Sequence, residues 1–537
     1  MSSDQEINHA FVQPPSSLTS PDSDSNHLAL TDQKSIEEDL LNKKTTTSLR
    51  NQTRSTSFPP VQISSTNNHQ PQMNNDHSIR SNNPNPNPPV LIRKQTWVSL
   101  LTPEKKLPLT NPTYKQSFIA IIRSSWLNVL LVFIPISWAL HFALPKHDLP
   151  IFITCMLAII PLAKLLGFGT EEIALRVGQT LGGLINATLG NAVELIVAIL
   201  ALVKCQLVVV QSSLLGSILS NLLLVLGMCF FAGGIRFSEQ AFSITAAQLN
   251  SSLLIMSVIA ILIPAGFHAA FSNLGDNIEG PDVLKMSRGI AIILLVIYAA
   301  YLLFQLWTHA HLYQETPNNS SSSGEQDGRP TFGGHRIMRI AKSVKTQNPT
   351  RITSATEDGE DQEEEEEETP TLNLFSSIGL LVLSTVLVGV TSEWLVDSID
   401  GITQSGTISK AWVGLILLPI VGNAAEHLTA VSVSVSDKLD LAMSVAVGSS
   451  IQIALFVVPL LVVLAWIMDK PLTLLFDPFE SITLFLSVLV VNYTIQDGRA
   501  NWLEGFILMS VYIIVAVAFY FYPSNATDIT LGLICNT

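Results

Sequence analysis

Charge is what this chain has least of. Only 13% of its 537 residues are Asp, Glu, Lys or Arg, against 47% hydrophobic, and the mean hydropathy is +0.39. A soluble protein of that composition would need an implausibly large core, so the chain reads as a polytopic membrane protein. Lys and Arg number 29 against 43 Asp and Glu, which leaves no basic surface to suggest a nucleic-acid partner. The net charge of −14 is not a global field, because much of it comes from one run over 357–368, EDGEDQEEEEEE. Cysteine is nearly absent: Cys155, Cys205, Cys229 and Cys535 form no CxxC pair and no metal-ligand spacing. They are expected to be packing residues, and they leave the compartment unread. The first stretch, to about residue 89, has no apolar core, so it is neither a secretory signal nor a typical transit peptide; its Ser, Thr, Asn, Gln and Pro content reads as disordered. Neither HExxH nor GxSxG occurs, so an intramembrane enzyme is set aside and no resident cofactor is expected.

What the chain has in abundance is long apolar runs. A helix needs roughly 20 apolar residues to cross the hydrocarbon layer, and eleven runs approach or exceed that length. They lie at about 126–144, 149–167, 180–203, 207–233, 243–266 and 287–308, then 373–396, 410–436, 441–467, 478–494 and 502–522. The predicted layout is a disordered cytosolic tail (1–115), an extra first helix (116–148), five helices (149–308), a cytosolic loop holding the acidic run (309–372), five more helices (373–522) and a short tail (523–537). A unit with an odd number of crossings, repeated once, re-enters the membrane from the other side. The expected fold is therefore all-α, with eleven transmembrane helices: one addition and two inverted five-helix repeats, an arrangement that puts a substrate site near the midplane. Pro135 is expected to kink the first helix. Basic residues before that helix (Lys105, Lys106, Lys115, Arg123) and in the central loop (Arg336, Arg339, Lys342, Lys345) favour a cytosolic N-terminus and put the C-terminus on the far side.

Within these runs one element occurs twice. Gly190-Asn191-Ala192-Val193-Glu194 and Gly422-Asn423-Ala424-Ala425-Glu426 are offset by 232 residues, and the same offset carries Gly216-Ser217 onto Gly448-Ser449. On a helix the Asn and Glu of each copy, three apart, project from one face. An ionised carboxylate at membrane depth costs about 2.5 to 3.5 kcal/mol even on the lenient insertion scale. Each Glu must therefore be protonated, paired or ion-bound, and neither motif contains a Lys or Arg. A proton and a hard cation would compete for the same oxygens. Ca²⁺ takes about 6 to 8 of them, a number that two Glu, two Asn, hydroxyls such as Ser217 and Ser449, and freed carbonyls could approach. If both acids face one cavity, the empty site is doubly charged whereas the Ca²⁺-filled and doubly protonated sites are neutral, so only filled sites change sides readily. Sodium fits such oxygens too. Glu171, Glu172, Glu393, Asp397, Glu480 and Glu504 fall near helix ends and are read as interfacial.

The stretches GNAVELIVAILAL from Gly190, QSSLLGSILSNLLLVLG from Gln211 and GNAAEHLTAV from Gly422 resemble the repeat signatures of calcium/proton exchangers of the calcium/cation antiporter superfamily. So do TEEIALRVGQTLGGLINATLGNAVE from Thr170 and DGRANWLEG from Asp497; the resemblance runs over roughly 115–522. It implies transport of cytosolic Ca²⁺ into an acidic store, the vacuole, in exchange for H⁺. It makes Glu194 and Glu426 the shared Ca²⁺ and H⁺ carboxylates and Asn191 and Asn423 flanking ligands, with Ser217, Ser220, Ser449 and Gln452 as further ligand candidates. His427, where the first copy has Leu195, is the mark of the proton-coupled branch and a candidate proton relay. An Mn²⁺/H⁺ or Na⁺/Ca²⁺ antiporter stays open as an alternative, with a cation channel behind it. Oligomeric state is not readable.

Overall fold

The computed structural model describes residues 112–177, 179–271, 276–309, 370–404, 408–523 and 535. The acidic run 357–368 and nearly all of the N-terminal tail lie outside the described residues. Among the described residues the chain is almost wholly helical. A short amphipathic helix, α1 (Tyr114–Arg123), is closed at its start by a reciprocal Thr113–Gln116 capping box and shows Phe118 and Ile122 outward. Among the described residues eight helices are long and apolar enough to cross a membrane: α2 (Trp126–Ala143), α3 (Asp148–Val177), α6 (Leu207–Arg236), α7 (Ile244–Phe271), α8 (Gly280–Thr308), α9 (Leu374–Thr403), α12 (Leu439–Ile467) and α14 (Trp502–Tyr520). Two bent pairs bring that number to ten: α4 (Leu181–Leu189) with α5 (Ala192–Val203), and α10 (Lys410–Gly422) with α11 (Ala424–Val435). A further apolar helix, α13, spans Pro478–Thr494.

Every apolar run read from the sequence falls on one of these helices or pairs, although α3 continues to Val177, well past its run. The α2 span opens as a 3₁₀ turn (Trp126–Val132), and Pro135 sits in the first turn of the α-helix that follows, where a missing N–H breaks no helical hydrogen bond.

The core is built around α6 and α12, whose apolar windows are 83% and 61% buried, while α2 at 11% lies outermost. Close approach explains that density. A Cβ on Gly216 would lie 2.1 Å from the Leu415 carbonyl of α10, and one on Gly505 would lie 2.2 Å from the Phe231 nitrogen. Small residues at such crossings let backbones touch, which is where helix pairs in lipid find their packing energy. Both central helices also widen into a π turn at corresponding places, Ser220–Val225 in α6 and Ile453–Val457 in α12.

The loops gather at two ends. At one, Ser117 of α1 receives the Asn373 N–H at 3.0 Å, and a two-residue ribbon pairs Gln240 and Ala241 with Ala500 and Arg499. Glu172 belongs to this end and is not interfacial as expected: it is buried, accepting from the Thr371 and Leu372 N–H groups at 2.9 and 3.0 Å. At the other end Lys204 pairs with the exposed Asp397, Lys410 with Asp400 at 2.5 Å, and the Tyr522 hydroxyl donates to Asp477. Here the reading of all four cysteines as packing residues is corrected. Cys155 and Cys229 are buried and free, but Cys205 and Cys535 form a disulfide across 330 residues of sequence, a pairing that spacing alone does not reveal. Thiol counting with a maleimide mass tag on the denatured protein is therefore expected to give two reactive cysteines without reductant and four with it.

Candidate functional site

Both copies of the duplicated motif interrupt a helix. The α4–α5 pair bends by 45° and the α10–α11 pair by 56°, with Asn191 and Asn423 at the corners outside helical geometry. The carbonyl of each Asn then starts a new helix, accepting from Leu195 at 3.0 Å and from His427 at 2.9 Å. That places Glu194 and Glu426 in the first turns of α5 and α11, where unpaired N–H groups and the helix dipole favour negative charge. Gly190 and Gly422 supply the room: a Cβ on Gly422 would stand 3.2 Å from Glu194 Oε1. The first acid thus faces the break in the second repeat, and the two carboxylates are near enough to repel one another. Each Glu is half-buried as a residue, yet Glu194 Oε1 and Glu426 Oε2 are shut from solvent with no hydrogen-bond donor.

The other predicted site residues divide into unequal halves. Asn191 is saturated: its amide donates to Gln452 Oε1 at 2.7 Å, and its oxygen accepts from Ser449 Oγ at 2.7 Å. Ser449 accepts in turn from Asn221 at 3.1 Å. Asn423 is fully buried, and neither of its amide atoms has a partner. Ser217, at the position equivalent to Ser449, turns instead to a narrow cavity that it lines with Glu194, Ser213, Val197, Leu395 and Gly422. Ser220, equivalent to Gln452, meets the buried His427 Nε2 at 3.4 Å. The structure thus brings Asn191, Ser449 and Gln452 together in one hydrogen-bonded cluster and sets Glu194 and Ser217 on the cavity. Ser220 and His427 form a separate contact.

Orphaned buried polar atoms are rare in folded proteins and ask for a partner. Here they are two carboxylate oxygens and a whole amide, a donor set of hard oxygens suited to a hard cation or a proton. No cluster of three or more His, Cys, Asp or Glu occurs among the described residues.

The same architecture is found in known proteins. The sodium/calcium exchanger protein family matches residues 147–307 and 376–521. The chain belongs to the sodium/calcium exchanger family. A vacuolar calcium ion transporter of Cryptococcus neoformans var. grubii is 55% identical over 503 residues, covering 84% of this chain and 82% of that protein. A Ca²⁺/H⁺ antiporter of Aphanothece halophytica is 42% identical over 73% of this chain and 96% of its own length. Among solved structures, the Ca²⁺/H⁺ antiporter YfkE is 29% identical with a TM-score of 0.56, covering 74% of this chain and 99% of that one. The H⁺/Ca²⁺ exchanger CAX, 12% identical at a TM-score of 0.50 over 76% of this chain and 92% of its own, shares the fold.

Two residues of this exchanger-family site were not picked out from the sequence. Asn221 carries the only evident signal, a second polar residue directly after Ser220 in an apolar run. Lys164 is the one base in the apolar run 149–167 of α3; its Nζ donates to Thr429 Oγ1 at 3.3 Å, one turn beyond Glu426, and its charge acts on that carboxylate. Neither motif holds a base, but a base reaches the second acid from another helix. The unequal halves make a testable contrast. Asn191→Leu should destabilise the ion-free protein by about 1 to 3 kcal/mol by stranding Ser449 and Gln452, whereas Asn423→Leu should leave it as stable or more so. Thermal melting in chelator measures both.

Proposed function

We propose that this chain is a secondary antiporter that moves Ca²⁺ from the cytosol into the vacuole in exchange for H⁺ by alternating access, with Glu194 and Glu426 as the shared site. The observation that carries the reading is the pair of facing acids with orphaned oxygens, each at the start of a half-helix. It is supported by the family and by the named activities of the relatives. In this reading α2 is an addition, the two bent pairs and α13 each cross once, and the other ten of the eleven crossings form two inverted five-helix repeats. Asn423 and Ser217 complete the cation's oxygen shell, with Asn191, Ser220, Ser449 and Gln452 behind them, and His427 serves proton coupling.

Charge supplies the coupling. With both carboxylates ionised the cavity carries two negative charges in low dielectric, a costly state to enclose. One Ca²⁺ or two protons cancel them equally. Lys164 adds the same positive charge to either loaded state, so its presence leaves the two equivalent. Sidedness follows from the basic residues near the N-terminus and from the disulfide: a Cys205–Cys535 bond belongs in an oxidising compartment, which makes that face lumenal.

Reconstitution into vesicles with an acidic interior should give Ca²⁺ uptake that a protonophore abolishes; uptake surviving loss of the pH gradient would remove proton coupling. Glu194→Gln and Glu426→Gln should each lower coupled uptake at least a hundredfold while the protein still elutes as folded. Retention of exchange by either variant removes that residue from the site.

A further inference from the structure

One buried acid has no part in the site described so far. Glu480, in the first turn of α13, was expected at the interface, but it is 2% exposed. Its Oε1 accepts from Ser212 Oγ at 2.6 Å, and Ser212 is buried as well. Among the described residues no Lys, Arg or His pairs with the carboxylate. The titratable groups that face it are Asp477, which caps the same helix and accepts the Glu480 N–H at 3.3 Å, and Tyr522, whose hydroxyl donates to Asp477 Oδ2 at 3.0 Å. A carboxyl in such a place must be held as an acid or have its charge met by the hydroxyl and the helix N-terminus; either state is within reach, which is the property a proton carrier needs.

Its position gives the carrier a route. Tyr522 and Asp477 lie at the end of the bundle that carries the Cys205–Cys535 disulfide, and Glu480 sits one helical turn further in. Ser212 is the next link, and its neighbour Ser213 opens onto the cavity lined by Glu194 and Ser217. Nothing structural requires an acid here. A glutamine would accept the Ser212 hydrogen bond equally well, and Gln211 already ties the same helix to the chain before α13 through the Thr473 and Leu475 carbonyls at 3.1 and 2.9 Å.

We propose that Glu480 is a third proton-handling carboxyl of the exchange cycle, taking protons from the face that carries the disulfide and passing them by way of Ser212 to the cavity of Glu194. This rests on the antiporter reading above. In the step, the Glu480 carboxylate gains a proton at the rim; that proton leaves it for the Glu194 carboxylate, which becomes the acid, and Glu480 is a carboxylate again. No bond other than O–H breaks or forms.

The test compares two modes of transport in the same vesicles: Ca²⁺ uptake driven by an acidic interior, and isotopic Ca²⁺/Ca²⁺ exchange with both sides clamped at one pH, which needs no proton movement. Glu480→Gln should lower proton-driven uptake about tenfold or more and flatten its dependence on interior pH, while keeping Ca²⁺/Ca²⁺ exchange within twofold. Equal loss of both modes would show a structural residue, and loss of neither an idle one; each overturns the proposal. If that variant does not fold, Ser212→Ala decides. Without the hydroxyl link it should lower proton-driven uptake about tenfold or more while keeping Ca²⁺/Ca²⁺ exchange within twofold; unchanged proton-driven uptake, or equal loss of both modes, overturns the proposal. Failure of the antiporter reading is separately visible, as wild-type uptake insensitive to protonophore or a Glu194→Gln variant that still exchanges.

Discussion

The cost of keeping a carboxylate in an apolar interior governs this molecule. Two acids could not be held at that depth on uninterrupted helices, where every backbone N–H is already taken. Breaking the helices at Asn191 and Asn423 frees N–H groups beneath each Glu and aims two helix starts at one place. The remaining architecture serves those breaks. Glycines at 216 and 422 clear the space around them, and the buried helices α6 and α12 bring hydroxyls and amides to the same level.

Duplication gives two similar half-sites, but the protein does not use them alike. On the Asn191 side both amide atoms have found a protein partner, in a net that runs through Gln452, Ser449 and Asn221. On the Asn423 side the amide is orphaned and Ser217 faces a cavity. A Cβ on Gly216 would strike Leu415, whereas one on Gly448 would meet nothing within 4 Å. In the closed half the amide of Asn191 is held by its neighbours. The open half leaves the Asn423 amide without a protein partner, beside the cavity that Ser217 lines with Gly422.

Much of this was legible in the sequence because it is local or periodic. Apolar runs gave the helices, and a fixed offset of 232 residues gave the paired acids. What stayed hidden depends on contacts far apart in the chain. Cys205 and Cys535 carry no spacing signal across 330 residues. Lys164 looks like a stray base in an apolar run until α3 is laid against α11. Glu172 and Glu480 sit near helix ends, which in a sequence means water, but loops folded over those ends bury both. The half-site asymmetry was equally out of reach, since two near-identical pentapeptides do not say which partner helix closes on which copy.

The clasp at Glu172 has a mechanical meaning. Its carboxylate grips the backbone at Thr371 and Leu372, and Arg176 from the next turn bonds the Leu372 carbonyl, so among the described residues the chain entering α9 is anchored on α3. A displacement of Thr371 and Leu372 therefore loads α3 directly through these hydrogen bonds. Eight residues further back along that same helix stands Lys164, beside the second acid. The start of α9 is thus tied to the same helix that brings a positive charge to Glu426.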